Sequence, residues 1–141
     1  IHLTLRFIGE GDRHRAGDIH AALGAIHHPR FEIGLNGLGM FERRGQPETV
    51  WAGVAPHPPL KALHKKVDQA LTRVGVAPDE RAYFPHITLA RLKRSSGTVR
   101  NLLEQSGGLR SPLFLVVRFA LFESQLVTEG AVHTPVEIFL L

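Results

Sequence analysis

The sequence predicts a single α+β domain, residues 1–141, with a largely antiparallel sheet. Helix-like and strand-like segments are mixed without the regular strand–helix–strand rhythm of a parallel, doubly wound sheet. The apolar fraction of 43% and the charged fraction of 21% are those of an ordinary globular protein. The tetrapeptide His-x-Thr-Leu occurs twice, each time in an apolar stretch that alternates with period two. We therefore expect one domain in which two similar strands carry the same polar side chains.

The individual elements follow from hydrophobic periodicity and from glycine and proline signals. Two consecutive prolines introduce the longest helix, and a glycine at position 75 is expected to end it. A glycine pair at 37 and 39 is expected to close the second strand, before a loop with the sequence FERRGQPE. In chain order we expect a strand at 2–8, a helix at 13–26, strands at 31–38 and 49–55, a helix at 60–74, a strand at 86–92, a short helix at about 97–105, and strands at 113–126 and 132–140.

The composition excludes several kinds of site. The chain has no cysteine, which removes disulfides, thiolate catalysis and Cys-based zinc sites, and which fits a reducing compartment. No run approaches about eighteen consecutive apolar residues and no signal peptide is recognisable, so we expect a cytoplasmic protein without a membrane span. The formal net charge of +4 comes mostly from arginine, which suits contact with phosphate. Many basic proteins bind no nucleic acid, so the charge alone does not decide the function.

Most of the histidines lack the spacing of a metal site. There is no HExxH motif and no acidic cluster beside them, and the glycines form neither a GxGxxG motif nor a phosphate-binding loop. We therefore expect no metal and no cofactor. The histidines concerned are His14, His20, His27, His28, His57, His64 and His133.

The repeated tetrapeptide is the most informative feature. Residues two apart on a strand point to the same face, so His2 shares a face with Thr4, and His86 with Thr88. If the two strands lie side by side, two imidazoles and two hydroxyls line one groove. An imidazole with a pKa of about 6.5 can act as acid or base, and a threonine hydroxyl can hold a phosphate oxygen. The alternative for each histidine is a hydrogen-bonded structural role.

The stretches HLTLRFIGE and RAYFPHITLAR resemble the two signature motifs of the 2H phosphoesterase superfamily. More narrowly, they resemble the RNA 2′,3′-cyclic phosphodiesterases, also called 2′-5′ RNA ligases. TVWAGV followed by PPLKALHKKV is similar to the strand and helix that this family places between its motifs. The resemblance implies a bilobal fold, with two largely antiparallel sheets related by a pseudo-twofold axis around a central cleft and with helices outside. The family also has a strand and a helix before its first motif, which a chain beginning at Ile1 is expected to lack.

The resemblance also implies an activity. It is the metal-independent hydrolysis of a 2′,3′-cyclic phosphate at an RNA end to a 2′-phosphomonoester, with reversible 2′-5′ joining as a side activity. By the family's assignment, His86 is the base that activates water and His2 is the acid that protonates the 3′ oxygen. Thr4 and Thr88 hold phosphate oxygens, and Arg91 matches the arginine that steadies the phosphate. The expected partner is RNA with cyclic phosphate ends, bound by a monomer.

Further contacts with the substrate are predicted by position. Strict alternation puts Arg91 on the face away from His86, so a bulge or the end of the strand must redirect it. By strand alternation, Arg6 lies on the same face as His2 and Thr4, which would line the cleft, but it could equally form an ion pair at the rim of the cleft. Tyr83 or Phe84 could stack on the terminal base, although core packing is expected for at least one of them. Weaker candidates are Phe41 and the Arg43–Arg44 loop.

Two other functions fit the same residues. The same fold could hydrolyse a small cyclic nucleotide or a 2′-5′ oligonucleotide. A protein of a different class, a non-catalytic module, could bind cyclic or phosphorylated RNA ends without turnover. Intact histidines in both motifs favour catalysis over binding alone.

Overall fold

A computed structural model describes residues 2–9, 15–93, 99–127 and 130–141 of the chain. The starts predicted for the first and third helices, residues 13–14 and 97–98, lie outside these ranges. The described elements are α1 (Ala16–Gly24), β1 (Phe31–Arg43), β2 (Gln46–Ala55), α2 (Pro58–Arg73), β3 (His86–Arg91), α3 (Val99–Ser106), β4 (Phe114–Val116), β5 (Arg118–Val127) and β6 (Gly130–Leu140).

The strands form two antiparallel sheets, which confirms the predicted α+β class. The larger sheet has the order β3-β2-β1-β4, and the smaller one pairs β5 with β6. Segment 2–9 lies along the outer edge of β3, where a single antiparallel bridge joins Leu3 to Ile87. The large sheet therefore carries the second tetrapeptide on its edge strand and the first tetrapeptide beside it.

The core is built between the large sheet and helices α1 and α2, with one aromatic residue from β6. Helix α2 begins at Pro58 and Pro59. Proline has no backbone N–H, and the first N–H groups of a helix have no acceptor within the helix, so no helical hydrogen bond is lost there. It ends before Gly75, which adopts a left-handed φ of 93° that favours glycine. Its buried residues recur every three or four positions, so one face of the helix enters the core. They are Leu60, Leu63, Val67, Ala70 and Leu71.

The loop predicted between the second and third strands is wrong, because β1 and β2 form one continuous hairpin. β1 extends to Arg43 and β2 begins at Gln46, so only Arg44 and Gly45 connect them. Both residues have positive φ, 53° and 75°. Two consecutive left-handed residues give the turn whose twist matches that of antiparallel strands. The glycine pair that was expected to close the first of these strands lies inside it.

The long strand predicted at 113–126 is two strands in two sheets. β4 pairs with β1 in the large sheet, whereas β5 pairs with β6 in the small one. The chain changes sheet at Val117, where the apolar pattern continues without glycine or proline. Because periodicity reports only which residues are apolar, it does not distinguish one long strand from two consecutive short ones.

The strand predicted at 2–8 is also corrected. Within residues 2–9 only Leu3 takes part in a backbone bridge of a sheet. The apolar side chains of the segment still pack on the core, as the alternation requires. The segment is thus extended and anchored, but it has no continuous ladder of backbone hydrogen bonds with β3.

Candidate active site

The bridge between Leu3 and Ile87 brings the two tetrapeptides together. Both residues pack against the core. Extending the antiparallel register by one residue in each direction sets His2 across from Thr88, and sets Thr4 across from His86. Since successive residues of an extended chain alternate in direction, these four side chains belong to the face opposite the core.

A β-bulge in β3 turns Arg91 toward the same face. Thr88 pairs with Trp51 of β2 and Arg91 pairs with Thr49, so that four residues of β3 lie opposite three residues of β2. Leu89 is the unpaired extra residue. Because Thr49 and Trp51 are two apart on a regular strand, their partners share a face. The structure thus contains the bulge that the sequence required if Arg91 was to join the histidine face.

His86 is fixed through one of its ring nitrogens. Its Nδ1 lies 2.7 Å from the carbonyl oxygen of Phe84. A carbonyl oxygen only accepts hydrogen bonds, so Nδ1 is the nitrogen that carries a proton. In the neutral ring the proton-accepting atom is consequently Nε2. This tautomer gives His86 an acceptor at the end of the ring away from its own backbone.

An aromatic cluster surrounds His86. The ring of Phe41 meets it edge to face with centroids 5.0 Å apart, and the rings of Phe84 and Trp51 lie at 6.0 and 6.2 Å. Phe84 is 45% exposed, so part of this cluster faces solvent. Trp51 lies directly over Gly39, where a Cβ atom would come within 2.3 Å of the indole. The cluster therefore depends on a glycine in β1.

His2 has a different environment, supplied by the β5–β6 hairpin. Its ring lies 4.8 Å from that of His133, edge to face, and 6.3 Å from that of Phe122, nearly parallel. The pKa of His2 is lowered from 6.5, first because burial disfavours the charged ring. Repulsion by the positive charge of protonated His133 acts in the same direction.

Side chains that precede the second motif hold the backbone of the first. The hydroxyl of Tyr83 donates to the carbonyl of Thr4 at 2.9 Å, and Nδ1 of His64 donates to the carbonyl of Leu5 at 2.8 Å. The two rings stack with centroids 4.3 Å apart and an interplanar angle of 4°. Burial raises the pKa of the Tyr83 hydroxyl above its usual range, so it stays a donor. These bonds replace the missing ladder beyond Leu3.

Arg6 belongs to the same anchor. Its Nε donates to Oδ1 of Asp68 at 3.0 Å, its guanidinium also donates to the carbonyls of Phe7 and Ala77, and its side chain is 8% exposed. For Asp68, burial raises the pKa, but the backbone N–H of Asp79 and the Arg6 guanidinium outweigh it and lower the pKa below 3.8. This geometry favours an ion pair over substrate binding for Arg6.

The structure brings together most, but not all, of the residues predicted to form the site. His2, Thr4, His86, Thr88 and Arg91 share a face, and Phe84 stands beside it. Tyr83 and Arg6 are instead engaged with the first motif and with α2. Sequence reasoning left Trp51 unassigned, although it alternates with Gly53, the residue paired with His86. It also missed His64, Asp68, Phe122, Ser124 and His133, which reach the motif only through tertiary packing.

No three histidine, aspartate or glutamate side chains in the described part of the chain converge in a group that could hold a metal ion. None of the helices described has both the length and the apolar character needed to cross a bilayer.

Comparisons with known proteins identify the family of the chain. Residues 1–127 match a family model described as the 2′-5′ RNA ligase superfamily. The chain is similar to a protein of Aeropyrum pernix named RNA 2′,3′-cyclic phosphodiesterase, with 36% identity over 135 residues covering 94% of this chain and 77% of the relative. A protein of the same name from Thermus thermophilus is 34% identical over 149 residues, covering 100% of this chain and 72% of the relative.

Solved structures share the fold. The crystal structure of the Thermus thermophilus protein TT0787 superposes with a TM-score of 0.82 at 27% identity, covering 99% of this chain and 76% of that one. The structure of Escherichia coli LigT complexed with 3′-AMP gives a TM-score of 0.77 at 25% identity, with the same two coverages.

Proposed function

The chain belongs to the 2′-5′ RNA ligase superfamily, and from that premise we propose that it hydrolyses 2′,3′-cyclic phosphates at RNA ends to 2′-phosphomonoesters. It is a cyclic phosphodiesterase, the activity that its relatives are named for. Joining of RNA ends through a 2′-5′ linkage is the same displacement with an RNA 5′ hydroxyl in place of water: the hydroxyl oxygen bonds to phosphorus, and the bond from phosphorus to the 3′ oxygen breaks. The monomeric state and the cytoplasmic location stay predictions from the sequence.

The observation that carries the proposal is the pairing of the two tetrapeptides through Leu3 and Ile87. Cross-strand diagonal neighbours are about 7–8 Å apart in an antiparallel pair. His2 and His86 stand in this diagonal relation, since each lies opposite the other motif's threonine. A phosphate between two imidazoles at that separation has one of them on its attacking side and the other on its leaving side.

The reaction needs one proton removed and one delivered. His86 Nε2 takes a proton from water as the water oxygen bonds to phosphorus. The bond from phosphorus to the 3′ oxygen breaks, and His2 gives its proton to that oxygen. The products are a free 3′ hydroxyl and a 2′-phosphomonoester, with the proton roles of the two histidines exchanged.

The tautomer of His86 supports its assignment as the base. The carbonyl of Phe84 occupies Nδ1 and thereby leaves the acceptor at Nε2. The hydroxyls of Thr4 and Thr88 donate to the non-bridging oxygens as negative charge builds on them. Arg91, which the bulge puts on this face, supplies a planar cation for the same oxygens.

The aromatic cluster gives the substrate's last base a surface to stack on. Phe84 is exposed next to His86, and Phe41 and Trp51 support it from the sheet. Stacking of a base on an aromatic ring contributes about 1–3 kcal/mol and accepts any base. We therefore expect the cyclic end to be recognised with little preference for its sequence.

The direct test is turnover of a short RNA that ends in a 2′,3′-cyclic phosphate, in buffer with EDTA. The parent protein is compared with His86→Ala and with His20→Ala, a control on α1 whose side chain contacts Phe139. The product is resolved as a 2′- or a 3′-phosphate. We expect the 2′-phosphate from the parent and from His20→Ala, and a loss of about 10²–10⁴-fold in His86→Ala.

Other outcomes select the alternative functions. Binding of the RNA end without turnover by the parent would identify a non-catalytic binding module. Turnover of a small cyclic nucleotide or of a 2′-5′ oligonucleotide, with none of the RNA, would keep the fold and change the substrate. Turnover that His86→Ala leaves intact would remove the paired tetrapeptides from the mechanism.

A further inference from the structure

We propose that His133 is a positioning residue for the acid of this reaction: with Ser124, it orients the His2 ring and sets a second ionisable ring against it. The inference deepens the proposed function and rests on it in one respect, the assignment of His2 as the acid. His133 lies outside both tetrapeptides, on β6 of the small sheet.

The hairpin holds His133 in a defined orientation. Ser124 and His133 are direct cross-strand partners in the β5–β6 ladder. The Ser124 hydroxyl lies 2.7 Å from Nδ1 of His133. A hydroxyl both donates and accepts, so this bond persists whether Nδ1 carries a proton or not. Ser124 therefore fixes the orientation of the His133 ring.

The same hairpin brackets the His2 ring from two directions. His133 meets it edge to face at 4.8 Å, and Phe122 lies nearly parallel to it at 6.3 Å. These are contacts of the ring itself, whereas Tyr83 and His64 act on the backbone that follows. The orientation of the imidazole thus depends on the small sheet.

Two ionisable side chains lie beside His2: His133 on β6 and, diagonally across the bridge on β3, His86. Each carries a positive charge when protonated, and that of His133 lowers the pKa of His2. Like charges disfavour the protonated ring. A bound phosphodiester anion has the opposite effect, because it restores the proton to His2. The acid is therefore charged in the complex that needs it, and binding of the substrate takes up a proton.

The experiment follows the His2 ring signals by NMR as the pH is varied, in the parent and in two variants. His133→Gln keeps a polar side chain without the ionisable ring, and His133→Phe keeps a ring without the charge. His27→Gln, at an exposed position in the connection between α1 and β1, is the matched control. The pKa of His2 is expected below 6.5 in the parent and higher in both variants, with the smaller rise in His133→Phe, where an apolar ring still buries His2.

Kinetics supply the second readout. We expect a several-fold lower kcat in His133→Gln, a value closer to the parent in His133→Phe, and no change in His27→Gln. Ser124→Ala, which frees the His133 ring, should resemble His133→Gln in kcat. An unchanged His2 titration in both His133 variants would overturn the proposal. The titration needs no turnover, so an inactive parent would refute the proposed function without deciding this inference.

Discussion

The two copies of His-x-Thr-Leu are chemically alike but are held in different ways. The second copy lies in β3, its first three residues are paired with β2, and its histidine is fixed by the carbonyl of Phe84. The first copy touches the sheet only at Leu3, and Tyr83 and His64 hold its backbone from outside the sheet. One histidine stands in an aromatic cluster, and the other stands against a third histidine.

The difference separates two roles that the sequence leaves equivalent. His86 has an occupied Nδ1 and an accepting Nε2, which suits a base. The pKa of His2 is lowered by burial and by His133, which makes the protonated ring of His2 a stronger acid once a phosphate anion has restored its proton. In the proposed reaction, identical motifs thus take opposite roles because their surroundings differ.

The largest expected effect tests these duties directly. Alanine at His2 or at His86 should each lower kcat/KM by about 10²–10⁴-fold on a normal cyclic end. On a cyclic substrate with sulfur in place of the 3′ oxygen, the leaving thiolate needs no proton. We expect His2→Ala to recover most of its loss on that substrate and His86→Ala to recover none. Recovery by His86→Ala instead would exchange the two roles.

A smaller effect concerns the surroundings of His86. In Gly39→Ala the new Cβ would lie 2.3 Å from Cη2 and Cζ2 of Trp51, so the indole must move. We expect a loss of about 1–3 kcal/mol in the free energy of unfolding, measured with urea, and a lower kcat/KM. Gly17→Ala in α1, whose Cβ would meet nothing within 4 Å, is the control and should stabilise by about 0.5–1 kcal/mol. Parent-like stability and activity in Gly39→Ala would show that the cluster adapts.

The smallest effect concerns the anchor of the first motif. Tyr83→Phe keeps the stack on His64 and removes the bond to the Thr4 carbonyl. We expect a cost of about 0.5–1.5 kcal/mol in the free energy of unfolding. The ring signals of His2 should shift in the NMR spectrum while those of His86 stay in place, so the second motif serves as an internal control. Equal shifts at both histidines would mean that the anchor is shared.

Much of this arrangement follows from the sequence, because alternation and helical spacing report which face of an element is buried. The same rules gave the shared face of each tetrapeptide and the buried stripe of α2. They did not predict which segments form backbone hydrogen bonds with each other. Segment 2–9 alternates like a strand, although side chains anchor most of it. They missed the hairpin turn because Arg44 takes a left-handed conformation that asparagine usually supplies.

The contacts of His2 show a second limit. The pairing of Ser124 with His133 is set by the register of the hairpin, and the approach of His133 to His2 is set by the contact of that hairpin with segment 2–9. Neither leaves a local pattern, and His133 lacks any spacing that would mark it in advance. Residues that touch a motif from a distant strand are found only when the chain is folded.

The bulge at Leu89 has a consequence for how such sites are read from sequences. Side chains along a regular strand point alternately to its two faces. One extra residue reverses this alternation for every later residue of the strand. Arg91 stands three positions after Thr88 and still points to the same face, because Leu89 between them has no partner in β2. A relative with its arginine two positions after the threonine would reach the same face by a regular strand. The interval between the threonine and the arginine therefore indicates whether the strand contains a bulge, as well as which side chains the site uses.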